Sequence, residues 1–290
     1  MEKFPLIKII QTSRPIFWVL LPLAYLTGLS YSENGLSQPG FSFTPVMILQ
    51  IFFLSFPFCL FTFGLNDIYD LVSDGLNARK QKMKGLSPLA EGVVFHGVTP
   101  GVIHFGSLLI AIGMTGVALV SLNPLNLFYT VTLITLSFTY SAPPWRLKGR
   151  APLDAIAGGI IACLCPAAMS YTLVSPHGFP PVQLYLLTFA AMGFHAFSTI
   201  MDEEPDSIAG DQTFAVRFGK RPAAILSAAT IFFLGASIHK KIFFLFSLFC
   251  GILILGVALF PSYQMARRVY LIIFGLGMVL SLVWLIPFFL

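Results

Sequence analysis

The sequence predicts an all-α polytopic membrane protein, with about nine transmembrane helices around a central apolar cavity. Three observations predict it. Of 290 residues, 57% are hydrophobic and only 10% are charged, whereas about a quarter of an average soluble domain is charged. The mean hydropathy is +0.85. The charges are gathered into short segments between apolar runs, and a spanning helix needs roughly 17–25 such residues. The longest polar stretch runs from about residue 75 to 100, so a single membrane domain over residues 1–290 is expected.

The apolar runs place helices near 15–31, 47–66, 101–121, 124–141, 153–174, 181–200, 222–238, 242–260 and 269–289. Several carry Gly or Pro, which membrane helices tolerate because neighbouring groups satisfy the freed backbone. The first run follows Glu2, Lys3, Lys8 and Arg14 and lacks a clear small-residue cleavage site, so it reads as a membrane helix rather than a cleaved leader. With the N-terminus in the cytoplasm, fifteen of the seventeen Lys and Arg residues fall on the inner side; only Lys240 and Lys241 fall outside. That asymmetry predicts a cytoplasmic N-terminus. It also makes the basic residues an inner belt able to meet anionic lipids or substrates, and the pattern gives no reason to expect nucleic acid as a partner. The four cysteines, at 59, 163, 165 and 250, lie inside apolar runs and read as buried thiols rather than a disulfide framework or zinc site.

The acids crowd onto the same side, which positive-inside asymmetry does not explain. "NDIYDLVSD" closes the second helix. Asp67, Asp70 and Asp74 follow i, i+3, i+7, and Asn66, Asp70 and Asp74 follow i, i+4, i+8. Both sets run along one helix face. Like charges at that spacing repel and require water or a cation. A second cluster, "MDEEPDSIAGDQT", follows the sixth helix, with Asp202 and Asp206 at i, i+4. Carboxylate oxygens suit Mg²⁺, which bridges a few carboxylates to substrate phosphates. Two acidic rims holding Mg²⁺ and a diphosphate are therefore expected. Such a site would have its mouth at the cytoplasmic face; the plain alternative is a pair of solvated helix ends.

At these residues the sequence resembles the UbiA superfamily of intramembrane prenyltransferases. The family's N-D-x-x-D-x-x-x-D stands complete as Asn66, Asp67, Asp70 and Asp74. Its second motif matches Asp202, Asp206, Gly210 and Thr213. "YSAPPWRLKGRAPLD" is similar to the family's Y-S-x-P-P-x-R-x-K segment, and "SRPIFW" to its Arg-Pro-x-x-W opening. One departure is "SPLAEG", where many members carry Arg-Pro-Leu-Pro-x-Gly and Ser87 stands in place of the Arg.

The resemblance implies Mg²⁺-dependent transfer of a prenyl group from an allylic isoprenyl diphosphate to a lipophilic acceptor. Asn66, Asp67, Asp70, Asp74, Asp202 and Asp206 are the implied metal set, with Asp67 pointing further round the helix than the rest. Arg79, Lys82, Arg146 and Lys148 are diphosphate candidates; positive-inside topology accounts equally well for each alone. Tyr140 orients the diphosphate, faces the developing cation, or is an interfacial aromatic. Arg14 either binds an acceptor's polar end or anchors the first helix. His195 binds the acceptor or takes a proton, or is a hydrogen-bonded structural residue. An apolar cavity excludes water that would capture the cation.

"GFHAFSTIMDEEPDSIAGDQT" is similar to the carotenoid-elongating branch, the lycopene elongases, through Glu204, Pro205, Asp206, Ala209, Gly210 and Thr213. A carotenoid acceptor is the expectation. The competing acceptor is an aromatic or quinone precursor, which needs a cation such as Arg14 near the cavity. From another class, an ion-coupled transporter or lipid-binding membrane protein also places carboxylates in a membrane. Transporters tend to hold theirs near the midplane, whereas these stand at helix ends.

Overall fold

The computed structural model describes residues 6–32, 34–71, 74, 100–176, 178–238 and 240–288. Among the described residues every regular element is helical, and the one extended pairing is an isolated parallel bridge between Arg150 and Gln212. α1 (Leu6–Thr12) and a 3₁₀ turn (Pro15–Phe17) lead into α2 (Leu20–Ser30). Next come α3 (Pro45–Leu54), α4 (Phe56–Tyr69), α5 (Pro100–Val120) and α6 (Pro124–Ser141). α7 (Leu153–Gly159) passes through a π turn (Ile160–Leu164) into α8 (Cys165–Val174). α9 (Val182–Ser198), α10 (Glu203–Ala209) and α11 (Phe214–Phe218) precede the three long helices α12 (Lys220–Ser237), α13 (Lys241–Leu259) and α14 (Tyr263–Leu285).

Helices thus stand at all nine expected positions. Six described spans are long and apolar enough to cross a membrane, and Pro15–Ser30 is a shorter apolar segment. The other two are diluted: α6 carries Asn126 and four threonines, and α12 opens on Lys220 and Arg221. Local chemistry sets the boundaries. Thr44 Oγ1 accepts from Met47 N (3.3 Å) ahead of Pro45. Asn123 Oδ1 accepts from Leu125 N and Asn126 N ahead of Pro124. Capping side chains followed by Pro at the first helical position start a helix cleanly. Between α3 and α4 the backbone breaks at Ser55, two residues before Pro57, whose missing N–H and ring interrupt the ladder.

The chain divides into two compact units, one of Met1–Trp145 and Cys165–Phe179, the other of Arg146–Leu164 and Pro180–Leu290. In the first unit α8 packs on α2 and α6, and α4 on α5. Its interior is pinned by polar contacts: Tyr25 Oη donates to Gln50 Oε1 (3.0 Å), Gln50 Nε2 to Asn126 Oδ1 (2.8 Å), and Asn126 Nδ2 to the Met169 carbonyl (2.7 Å). Such bonds join helices where lipid offers no competing partner. α2 and α8 touch at Gly28, where a Cβ would lie 2.0 Å from the Ala167 carbonyl oxygen. Gly28→Ala is therefore expected to force these helices apart, costing about 1–3 kcal/mol. Thermal unfolding in detergent checks this, and an unshifted midpoint would refute it.

In the second unit α12 packs on α13 and α9 around a core that includes Phe197, Ile200, Ala224, Ile254 and Val257. Here too small residues set the approach: a Cβ at Gly193 would meet Thr230, and one at Gly235 would meet Ser247. The exposed surfaces of the long helices are apolar, as at Leu108, Leu109 and Ile112 on α5. That is the surface a bilayer solvates. The protein is a multi-pass integral membrane protein.

Candidate active site

The first acidic motif occupies the end of α4 in the first unit. Asp70 N donates to the Asn66 carbonyl (2.9 Å) and Asp74 N to the Asp70 carbonyl (2.8 Å). The i, i+4 bonding therefore carries past the end of α4, keeping Asn66, Asp70 and Asp74 in helical register. Asp67, Asp70 and Asp74 are all buried, Asp67 completely. A buried carboxylate requires a counter-charge. For Asp67 it is Arg14, whose Nη2 donates to Oδ1 at 2.8 Å while its guanidinium lies 4.5 Å from the Phe63 ring centroid. Asn66 Oδ1 accepts from Ser141 Oγ (3.3 Å) at the end of α6. Tyr140, beside Ser141, is half-buried.

The second motif lies in the other unit. Asp202 precedes α10, and Asp206 N donates to its carbonyl at 2.9 Å. Gly210 ends α10 at φ 82°, a left-handed position that suits glycine. Burial pushes the Asp206 carboxyl up to about 7; the Asp202 carboxylate adds to the rise, Lys148 opposes it, and Asp211 adds further. Crowded carboxylates of this kind gain from added positive charge.

The segment holding Arg146 and Lys148 clasps the residues after α10. Arg146 binds Asp211 with both arms of its fork, Nε to Oδ1 at 2.9 Å and Nη2 to Oδ2 at 2.7 Å. Gln212 N donates to the Gly149 carbonyl (2.9 Å), and Ala151 N to the Gln212 carbonyl (2.7 Å). Arg217 Nη1 donates to the Ala151 carbonyl (2.8 Å). Asp154, fully buried at the start of α7, accepts from Phe214 N through Oδ2 at 2.6 Å. Gly149 is needed here, since a Cβ would fall 2.5 Å from Asp211 Oδ1.

Of the sequence-predicted residues, Arg79 and Lys82 lie outside the described residues. Lys148 stands in a 3₁₀ turn (Leu147–Gly149), close enough to act on Asp206 electrostatically. His195 is half-buried on α9 with its ring against Gly158, where a Cβ would sit 2.6 Å away. Sequence reasoning left Asp154 and Asp211 out of the site. A carboxylate at the head of an apolar span is costly to bury, and that signal was present at Asp154.

The donors of each motif fit Mg²⁺. Asn66, Asp70, Asp74, Asp202 and Asp206 offer only hard oxygen ligands, and His and Cys are absent from both motifs. Among the described residues, no three His, Cys, Asp or Glu side chains gather closely enough to enclose an ion alone. Mg²⁺ does not require that, because it keeps waters and takes phosphate oxygens beside one or two carboxylates.

Comparison with known proteins identifies the family. The UbiA prenyltransferase family matches residues 20–274, across both units. Two curated relatives, each a lycopene elongase/hydratase, come from Haloarcula japonica and Halobacterium salinarum. The first is 31% identical over 212 residues, covering 73% of this chain and 67% of the relative. The second is 31% identical over 234 residues, covering 79% and 78%. Among solved structures, a UbiA homolog from Archaeoglobus fulgidus bound to GPP and Mg²⁺ aligns with a TM-score of 0.62 at 16% identity, covering 95% of this chain and 98% of that one. The apo UbiA homolog from Aeropyrum pernix K1 gives 0.62 at 19% identity, covering 92% and 98%. The fold, the motifs and the family match agree: this chain belongs to the UbiA prenyltransferase family.

Proposed function

We propose that the protein moves a prenyl group from an allylic isoprenyl diphosphate to a long hydrocarbon acceptor, a carotenoid such as lycopene, in a Mg²⁺-dependent reaction. The observation that carries the acceptor is the 31% identity to two lycopene elongase/hydratases over most of the chain. The state of Arg14 supports it. An aromatic acid needs a cation, and the arginine that the sequence offered for that purpose is engaged by Asp67. A hydrocarbon acceptor has no polar end and needs none.

Asn66, Asp70 and Asp74 of the first motif and Asp202 and Asp206 of the second are the residues that would hold Mg²⁺. Mg²⁺ bound there neutralises the charge that builds on the leaving diphosphate. Lys148 adds a fixed positive charge beside Asp206 and is the strongest basic candidate for a direct diphosphate contact. Tyr140 orients the diphosphate in this reading, supported by its position beside Ser141, which bonds Asn66. As the allylic C–O bond breaks, the acceptor's double bond attacks the prenyl carbon, and a proton leaves the product cation. An apolar lining keeps water from taking that carbon first. The excess of Lys and Arg on one side supports a cytoplasmic N-terminus and a cytoplasmic mouth.

Incubating membranes that contain the protein with dimethylallyl diphosphate and lycopene is expected to give a prenylated carotenoid, detected by mass spectrometry. Chelation of divalent ions is expected to abolish it. Prenylation of an aromatic acid but not of lycopene would replace this acceptor with a quinone precursor. Mg²⁺ binding with no prenyl product at all would favour a transporter or lipid-binding protein.

A further inference from the structure

Each acidic motif carries a carboxylate that an arginine of its own unit already holds. In the first unit Arg14 takes Asp67, the member of the motif outside the i, i+4, i+8 register. In the second, Arg146 takes Asp211, five residues beyond Asp206, with a two-armed fork. The parallel extends to the backbone. Arg14 sits at φ 50° and Arg146 at φ 39°, left-handed positions that an ordinary side chain adopts only where the surroundings compensate. Each residue begins a 3₁₀ turn that leads into the next helix, and each turns its guanidinium onto its aspartate.

We infer that Asp67 and Asp211 are positioning residues rather than metal ligands, and that Arg14 and Arg146 are their counter-ions rather than contacts to acceptor and diphosphate. The inference rests on the proposed Mg²⁺ reaction. A guanidinium within 3 Å of a carboxylate cancels the charge a divalent ion would seek and repels that ion at close range. What the pairs do instead follows from their bonds. Asp211 N donates to the Asp206 carbonyl at 2.9 Å, so fixing Asp211 fixes the end of α10 that presents Asp206. Asp67 directly follows Asn66 on α4, so holding Asp67 sets the rotation of the turn that presents Asn66 and Asp70. Arg146, held in this way, also sets the turn that carries Lys148.

The test is a double-mutant cycle on the intact protein in detergent or nanodiscs, with R146Q, D211N and R146Q/D211N. Diphosphate release is followed at varied donor and varied Mg²⁺. If the pair acts as a unit, each single variant lowers kcat about tenfold or more and the double variant is no worse than the poorer single. The donor KM and the half-activating Mg²⁺ concentration stay within about twofold. Losses that multiply, with R146Q raising the donor KM or D211N raising the Mg²⁺ requirement about tenfold, would overturn it. R146K retains the charge without the fork; it serves where R146Q does not fold and is expected to recover part of kcat. A wild-type protein that releases no diphosphate from any allylic donor removes the proposed function alone. Mn²⁺ titration followed by electron paramagnetic resonance then decides the pairs. Affinity unchanged in D67N and D211N upholds them, and a loss of about tenfold in either sinks them.

Discussion

Replacing Asp206 or Asp70 by alanine is expected to lower Mg²⁺-dependent diphosphate release by at least about 10²–10³-fold, the loss that follows removal of one group stabilising transition-state charge. Breaking the allylic C–O bond leaves negative charge on the diphosphate, and nothing apolar can receive it. In the proposed reaction the carboxylates of the two motifs bring the compensating cation. At Asp206 the crowding is explicit, since its carboxyl is pushed up to about 7 by burial and by Asp202 and Asp211. A carboxyl crowded in this way gains from a divalent ion at its own oxygen. Glu204, exposed on the same short helix, is the control, and E204A is expected to stay within about twofold of wild type. Near-normal turnover in both D70A and D206A would end the metal assignment.

Arg14→Ala is expected to be among the most destabilising single changes. Asp67 is completely buried and its ion pair is mostly shielded, with 15% of the Arg14 side chain exposed. Removing one partner of a buried pair leaves the other charge uncompensated, a loss of about 3–5 kcal/mol. Partial exposure of Arg14 places the expectation at the lower end. The double variant R14A/D67N removes the stranded charge and is expected to recover most of the loss. Thermal unfolding of the three proteins in one detergent reads this directly. R14A melting with wild type would show that Asp67 needs no counter-ion. Activity need not recover with stability, because Asn at 67 does not restore the pull that sets the α4 turn.

Much of this was legible because the bilayer simplifies the code. Apolar runs had to be helices, and helices stand at all nine predicted positions. Helical spacing in "NDIYDLVSD" put Asn66, Asp70 and Asp74 in one register, and the backbone bonds from Asp70 to Asn66 and from Asp74 to Asp70 keep it. Spacing also set Asp67 apart from that register, and its partner is an arginine. What spacing could not supply was the partner's identity, because Arg14 is 53 positions away and Arg146 lies 65 from Asp211. Both arginines had other ready explanations, as a topology signal or as a contact to an anion. Asp154 was missed for a related reason. Its bond to Phe214 N spans 60 residues, and no helical periodicity links an aspartate to a backbone amide that distant. The π turn at Ile160–Leu164 likewise carries no composition of its own; "IIACL" reads as ordinary apolar helix.

The interleaving of the two units along the chain bears on how the protein is made. The first unit takes Met1–Trp145 and then Cys165–Phe179, and the stretch between belongs to the second. A ribosome that has emitted the first 145 residues has not yet supplied α8, on which α2 and α6 pack. Early helices must therefore wait in the translocon's surroundings for a later one before Tyr25, Gln50 and Asn126 meet the Met169 carbonyl. A gene cut at residue 145 would leave no fragment that holds the whole first unit, whereas a cut after 179 would give one that does.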